Sequence, residues 1–349
     1  MSVSFLHGRR VFSCLGIAAI EGGARVYFWL RHGIPGKRYG VWRPDPVFGA
    51  VPKENGYNSM GETNNWGFRN HEDVFDPKPP GSLRLITYGG STTFCYQLRT
   101  EEAWPARLEQ EMRSKRPGGE KDQVLNGGAV MWSLGQIHAR LKQHAPALRP
   151  DYVLIYSGVN EDWNSFLLEQ EGVSMAELVS QGRYGVFTKH LDQASWIKRE
   201  TFLFKIYSKV VGPALAPIMG RIFPRPPADF RTELDLPTLE NYRHVLAMVI
   251  ELLRENGATP VFIVEITGDP TRTNMYMTGY SRAGAQLAAE KGAIVIDPSP
   301  ILSGGPEAAK ALFSDSGVHY NEVGARKFAA FLFEQLFGSG RTAARPLPS

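Results

Sequence analysis

The sequence predicts an α/β fold in which helices cover both faces of a parallel sheet. Three observations support this fold class. Short apolar segments typical of buried strands occur at residues 83–88, 124–126, 152–157, 260–265 and 293–297. Segments with the three-four spacing of amphipathic helices lie between and after them, and turn residues separate the two kinds of segment. Alternation of this kind is typical of a parallel sheet with crossover helices.

The first predicted helix has apolar residues at helical spacing and a clear stop. Trp104, Leu108 and Met112 recur at helical spacing, and a Pro-Gly-Gly sequence stops the pattern after residue 116. By the same reasoning, the predicted helices lie at residues 101–116, 133–148, 238–256, 277–291 and 322–337.

The chain before the first strand differs in character. Two arginines precede an apolar run, as in a signal peptide or a membrane anchor, but Glu21 and Arg25 interrupt the run. Two alternatives are open for residues 9–32: membrane association or export, and a helix packed on the protein. Residues 32–80 are rich in Gly, Pro and Asn, which favours an irregular or short-stranded arm. The sequence leaves the compartment, cytoplasmic or cell envelope, undecided.

Composition shifts predict the domain organisation. Residues 1–80 form the N-terminal helix and arm, residues 81–338 form the α/β domain, and residues 339–349 form a disordered tail. An insertion at residues 162–237 interrupts the strand–helix alternation with aromatic residues and a proline-rich stretch. It is either a lid or wall over the site, or a peripheral helical decoration.

Composition also excludes several function classes. The net charge of +4 is small for 349 residues, and no Lys/Arg-rich run or nucleic-acid motif occurs, so we expect no nucleic-acid partner. Two cysteines cannot form a disulfide framework, and Cys95 is more typical of a small buried residue than of a reactive thiol. No group of His, Cys and carboxylates has the spacing of metal ligands, so we expect neither a metal nor a cofactor.

The candidate site begins at Ser91. The strand at residues 83–88 ends in Gly89-Gly90-Ser91, and glycines at a strand end permit a sharp turn. The turn places Ser91 at the carboxyl end of a strand, where open α/β sheets carry their sites. On this segment alone, a catalytic serine and a helix cap are both open.

Other strand-end turns carry complementary groups. Asn160 follows the strand at 152–157, a Gly-rich loop at 126–132 follows another strand, and His319 precedes the last helix. Because strand-end loops gather at one edge of the sheet, we expect a serine nucleophile, an amide donor and an imidazole base to meet there.

With these motifs the chain resembles the SGNH (GDSL-type) hydrolases over roughly residues 83–337. The resemblance implies a three-layer α/β/α, flavodoxin-like sheet of about five parallel strands, preceded by the N-terminal arm. Gly89-Gly90-Ser91-Thr92-Thr93 is similar to the first motif, Gly158-Val159-Asn160-Glu161 to the third, and Val318-His319 with Asn321 to the last. The roles implied are nucleophile for Ser91, oxyanion donor for Asn160 and general base for His319.

Two positions depart from the family pattern. Met131 stands where the second motif normally has a glycine, although a backbone N–H can bind an oxyanion whatever the side chain. Ser316 stands where the last motif normally has an aspartate, and Asp315 lies one residue earlier. Asp315, Ser316 or a main-chain carbonyl would then orient the imidazole, or the enzyme would work as a Ser–His dyad.

The predicted function is serine-dependent hydrolysis of a small-molecule, lipid or glycan ester through an acyl-enzyme. The predicted catalytic residues are Ser91, His319, Asp315 and Asn160. The residues predicted to bind the oxyanion or line the substrate pocket are Gly90, Gly128, Met131, Trp132 and Trp163, with core packing an open alternative for the two tryptophans. An acyltransferase, a non-hydrolytic biosynthetic enzyme and a binding protein on the same fold remain alternatives.

Overall fold

The computed structural model of the chain describes residues 36–45, 48–58, 61–161, 236–268, 275–314 and 317–338, with helical residues 16, 19–23, 26–27 and 30. Nearly all of the predicted insertion at 162–237, and the predicted tail at 339–349, lie outside the described residues. The chain divides into two compact units. Residues 1–39 and 189–229 form one, and residues 40–188 and 230–349 form the other, which contains the candidate site.

Little of the first unit is described. It contributes helical residues between 16 and 30 and the short strand β1, Arg38–Tyr39. The large apolar side chains described among these helical residues are exposed, namely Ile20, Val26, Tyr27 and Leu30. Within the described part of the chain, no helix has the length and apolar character needed to cross a bilayer. Membrane association through residues 9–32 stays a prediction.

The arm in the second unit is built from short antiparallel strands. Strand β2, Trp42–Asp45, pairs with β3, Gly49–Pro52, and β4, Gly56–Asn58, pairs with β5, Gly61–Glu62. The rings of Trp66 and Phe68 contact the ring of His144 in the α/β core. Aromatic residues of the arm therefore take part in the main core.

Five parallel strands form the central sheet. They are β6 Arg84–Gly89, β7 Gln123–Asn126, β8 Tyr152–Tyr156, β9 Thr259–Ile263 and β10 Ile294–Ile296. Their order is β10-β9-β8-β6-β7. The second strand in the sequence, β7, thus lies at one edge of the sheet. Strands are added on one side of β6 up to β7 and on its other side from β8 onwards, as in flavodoxin-like sheets. Ligand sites of such sheets lie at this switch point.

Helices cover both faces of the sheet, as the sequence predicts. They are α1 Ser91–Phe94, α2 Trp104–Lys115, α3 Leu134–Leu148, α4 Leu236–Glu255, α5 Met275–Glu290, α6 Pro306–Lys310 and α7 Glu322–Phe337. Residues of α2 and α7 share one apolar core, and residues of α3, α4 and α5 share the other with the arm. This three-layer arrangement buries the strands on both faces, which explains their continuous apolar sequences.

Some helix boundaries in the structure differ from the predicted ones by a few residues. The region predicted to start a helix at residue 101 forms a 3-10 turn, Thr100–Glu102, and α2 begins only at Trp104 with Pro105 in its first turn. A hairpin that the pattern did not indicate, β11 Phe313–Ser314 with β12 His319–Tyr320, precedes α7. It is too short to show a periodic signal, and it carries His319.

Candidate active site

The turn that carries Ser91 follows β6 at the switch point of the sheet. Gly90 is the N-cap of α1 and Ser91 is its first residue, so Ser91 does not serve as the cap. A Cβ atom on Gly90 would lie 2.2 Å from Asn160 Nδ2, and one on Gly89 would lie 2.3 Å from the Tyr156 carbonyl oxygen. The two glycines therefore allow the turn to approach the strand-end residues of β8 closely.

Ser91 and His319 form a hydrogen-bonded pair. The Oγ atom of Ser91 lies 2.9 Å from Nε2 of His319, although the two residues are 228 positions apart. Both side chains are half-buried, so a ligand has access to them. The Tyr96 ring meets the imidazole edge-on, with centroids 5.0 Å apart and an interplanar angle of 76°. This is the geometry of a nucleophile beside a general base.

Asn160 brings an amide group to the same turn. It follows β8, and its Nδ2 donates to the main-chain oxygen of Trp132 at 2.9 Å. A carboxamide nitrogen carries two hydrogens, so this bond fixes the amide and uses only one of them. The close approach of Nδ2 to Gly90 places the group beside the serine turn.

The loop after β7 contains a methionine in an unusual backbone conformation. Met131 has a φ of 64°, in the left-handed region that side chains other than glycine rarely adopt. The neighbouring N–H groups of Gly128, Ala129 and Trp132 donate to Asn126 Oδ1, the Gly89 oxygen and the Ala129 oxygen. Those three groups are therefore occupied within the protein.

Two predicted site residues take packing roles. The N–H of Gly128 is used by Asn126, and a Cβ atom on Gly128 would lie 2.3 Å from the Phe94 nitrogen, so this glycine allows the loop to pack on α1. The Trp132 indole is 2% exposed, stacks on Phe48 at 5.8 Å and donates to the Ala50 oxygen at 2.9 Å. The Trp132 side chain therefore packs in the core, whereas its main-chain oxygen accepts the hydrogen bond from Asn160 at the site.

Three predicted residues lie outside the described part of the chain: Asp315, Ser316 and Trp163. The prediction that Asp315 or Ser316 orients His319 therefore stays a prediction, as does a pocket wall at Trp163.

Two buried carboxyl groups behind the site were not identified from the sequence. Glu265 follows β9, is 3% exposed, and accepts hydrogen bonds from Thr92 Oγ1 at 3.0 Å and the Val159 N–H at 2.6 Å. Glu161 accepts the Leu134 N–H at 2.6 Å. The only sequence signal for Glu265 was its place, a charged residue closing an apolar run at the carboxyl edge of the sheet.

Burial dominates the electrostatics of both groups. It raises the pKa of Glu265 to about 7 and that of Glu161 to about 8, because desolvation disfavours the charged form. The two hydrogen bonds of Glu265 oppose this shift, and its proximity raises the pKa of Glu161 further. Both carboxyl groups therefore favour the protonated form more than an exposed glutamate does.

Cys95 lies close to the nucleophile without reactive character. It is 4% exposed, its Sγ lies 3.3 Å from the Thr92 oxygen, and burial raises the pKa of its thiol to about 11. A thiol of this kind carries almost no thiolate near neutral pH. Within the described ranges, no group of His, Cys, Asp and Glu side chains is arranged to hold a metal ion.

Comparison with known proteins gives one family match. The sequence model of the GDSL-like lipase/acylhydrolase family matches residues 86–327, which is more than half of the chain. Curated proteins give no match. Three of the similar solved structures are named as esterases.

The acetyl xylan esterase AlAXEase is 15% identical, with a TM-score of 0.45 over 73% of this chain and 100% of its own. The acetylxylan esterase Axe2 of Geobacillus stearothermophilus is 16% identical, with a TM-score of 0.43 over 73% of this chain and 94% of its own. The psychrotrophic esterase EstA of a Pseudoalteromonas species is 12% identical, with a TM-score of 0.43 over 73% of this chain and 96% of its own.

Proposed function

The chain belongs to the GDSL-like lipase/acylhydrolase family, and we propose that it hydrolyses carboxylic acyl esters through a covalent acyl-enzyme on Ser91. Family membership supports the acyl-ester hydrolase class. The observation that carries the serine mechanism is the 2.9 Å contact between Ser91 Oγ and His319 Nε2 at the switch point of the sheet.

In the first half-reaction, Ser91 Oγ attacks the ester carbonyl carbon as its proton passes to His319 Nε2. The tetrahedral intermediate then collapses, the bond to the alkoxy oxygen breaks, and His319 returns the proton to the leaving alcohol. In the second half-reaction, His319 takes a proton from water, which attacks the acyl carbon. The second tetrahedral intermediate collapses, the bond between the acyl carbon and Ser91 Oγ breaks, and His319 returns the proton to Oγ as the carboxylic acid is released.

Three donors would stabilise the oxyanion of the intermediate. They are the N–H of Ser91, the N–H of Met131 and the Asn160 side-chain amide. The left-handed φ of Met131 supports its role, because a residue other than glycine adopts this conformation at a cost and such strained positions cluster at functional sites. The hydrogen bond of Asn160 to the Trp132 oxygen supports its role by fixing the amide in advance.

Asp315 is the carboxylate that we propose orients the imidazole. It lies four residues before His319 in the segment that joins β11 to β12. Such a group selects the imidazole tautomer and stabilises the imidazolium that forms during attack.

Labelling and turnover of a single-residue variant test the proposal. We expect an alkyl fluorophosphonate to label the wild-type enzyme on the peptide that contains Ser91, and Ser91→Ala to abolish both labelling and p-nitrophenyl ester turnover. Ser114→Ala is the matched control, because this exposed serine donates only to main-chain oxygens of its own helix. Unchanged turnover in Ser91→Ala, or labelling at another serine, would contradict the serine mechanism.

A further inference from the structure

Glu265 joins the two turns that carry the nucleophile and the oxyanion amide. One carboxyl oxygen accepts the hydroxyl of Thr92, the residue after Ser91, at 3.0 Å. The other accepts the main-chain N–H of Val159, the residue before Asn160, at 2.6 Å. A single side chain therefore spans the gap between the ends of β6 and β8.

The main chain at Glu265 is held by two neighbouring elements. The N–H of Glu265 donates to Ser281 Oγ at 2.8 Å, and the preceding Val264 N–H donates to the Ile296 oxygen at 3.0 Å. Because contacts with α5 and β10 fix the main chain here, the side chain of Glu265 reaches both turns from a defined starting point. A shift of either turn would lengthen its hydrogen bond to the carboxyl group.

An apolar residue of similar size would fill the same space without the cost of burying a carboxyl group. It would also leave the buried Thr92 hydroxyl and the Val159 N–H without their acceptor, which is itself unfavourable. The carboxyl group reaches Ser91 only through its neighbour and makes no hydrogen bond to His319. Its role is therefore indirect.

We propose that Glu265 is a positioning residue for ester hydrolysis, holding the Ser91 turn and the Asn160 turn at the separation that oxyanion binding requires. The inference rests on the proposed function, because this separation affects rate only if an oxyanion forms at Ser91. Oxyanion donors must be in place before the reaction to be effective, and displacing them by about 1 Å lowers rates by about 10²-fold.

Two variants of Glu265 separate hydrogen bonding from charge. In Glu265→Gln the amide oxygen accepts the Val159 N–H and the amide nitrogen donates to the Thr92 hydroxyl, so both links persist without a charge. We expect kcat for a p-nitrophenyl ester to stay within about threefold of wild type in this variant. In Glu265→Ala both links are lost, and we expect kcat to fall by about 10²-fold with KM within about threefold.

A smaller pair of variants covers the case in which Glu265→Ala does not fold. Thr92→Val removes only the hydroxyl that Glu265 binds, and we expect kcat to fall roughly tenfold, the equivalent of about one hydrogen bond. Thr92→Ser keeps the hydroxyl and is expected to retain most of the activity. Glu109 provides the control: its pKa is also raised to about 7 and it accepts the Val124 N–H at 2.7 Å, away from the site turns.

The outcomes distinguish this inference from the proposed function. A fall in kcat in Glu265→Ala and Thr92→Val, with rescue by Glu265→Gln and no change in Glu109→Ala, supports it. Unchanged kcat in Thr92→Val or in a folded Glu265→Ala, an equal fall in Glu265→Gln, or an equal fall in Glu109→Ala overturns it alone. Absence of both turnover and Ser91 labelling in the wild-type enzyme overturns it together with the proposed function.

Discussion

At the residue scale, Gly90 leaves room for the side-chain amide of Asn160 beside the turn that carries Ser91. A methyl group on Gly90 would overlap Asn160 Nδ2, the nearest atom, at 2.2 Å, while the next contacts lie at 3.3 Å or more. We predict that Gly90→Ala displaces the Asn160 amide and lowers kcat by about 10²–10³-fold, the usual cost of losing one oxyanion donor. Steady-state hydrolysis of a p-nitrophenyl ester measures this.

The control for that prediction is a double-mutant cycle. If the alanine acts by displacing Asn160, adding Gly90→Ala to Asn160→Ala costs little further activity, because the donor is already absent. Additive losses in the double variant would show that Gly90 acts through another contact.

The backbone conformation at Met131 could not be predicted from the identity of the residue. A methionine at a position normally held by glycine predicts either a changed loop or a strained one, and the sequence does not select between them. The structure shows a strained position, because Met131 has a left-handed φ of 64° that is unfavourable for a residue other than glycine. Packing of Gly128 on α1 and of Trp132 in the core fixes the loop on both sides of Met131 and overrides its local preference.

At the scale of elements, Glu161 joins the turn after β8 to the start of α3 through the Leu134 N–H. Burial raises its pKa from 4.5 to about 8, so the folded state favours the protonated form. The stability gained from this preference is fully present below about pH 4.5 and is lost as the pH rises through about 8. We predict that Glu161→Gln becomes progressively more stable relative to wild type between pH 5 and pH 8.

Urea unfolding of both proteins at pH 5 and at pH 8 measures the difference. Glu120→Gln, at an exposed position, is the control and should track the wild-type protein at both pH values. A constant difference between Glu161→Gln and wild type across this range would show that Glu161 does not titrate with a raised pKa in the folded state.

The strands and long helices were predictable from the sequence for a physical reason. A strand covered on both faces must be apolar along its length, as in β8, and a helix packed on one face must repeat its apolar residues with helical spacing, as in α7. The links made by Glu265 were not predictable, because Thr92 and Val159 are 173 and 106 positions away from it. Such contacts depend on tertiary approach and leave no local pattern.

At the scale of the whole second unit, residues of the arm pack against the elements that carry the site. Phe48 stacks on Trp132, and its carbonyl accepts the side-chain amide of Gln136 at 2.7 Å. Trp42 packs on Phe94 of α1 with ring centroids 5.0 Å apart. Residues before the α/β domain thus contact both the nucleophile helix and the loop of the second motif.

We predict that Phe48→Ala lowers the free energy of unfolding by about 3–5 kcal/mol and also lowers kcat, because the support of Trp132 is lost next to Met131. Phe333→Ala is the matched control. Phe333 is buried to a similar degree, 6% against 5% exposed, but packs in the other core beneath α7. Urea unfolding and kcat, measured where all variants are folded, should show similar destabilisation and a loss of kcat only in Phe48→Ala.

The separation of 228 positions between Ser91 and His319 affects how the enzyme becomes active during its synthesis. The ribosome releases chains from the amino end, and regions fold as they emerge. A nascent chain that already displays the serine turn still lacks His319 until β12 has left the exit tunnel. If Ser91 and His319 act as proposed, esterase activity therefore arises only after β12 has emerged and paired with β11.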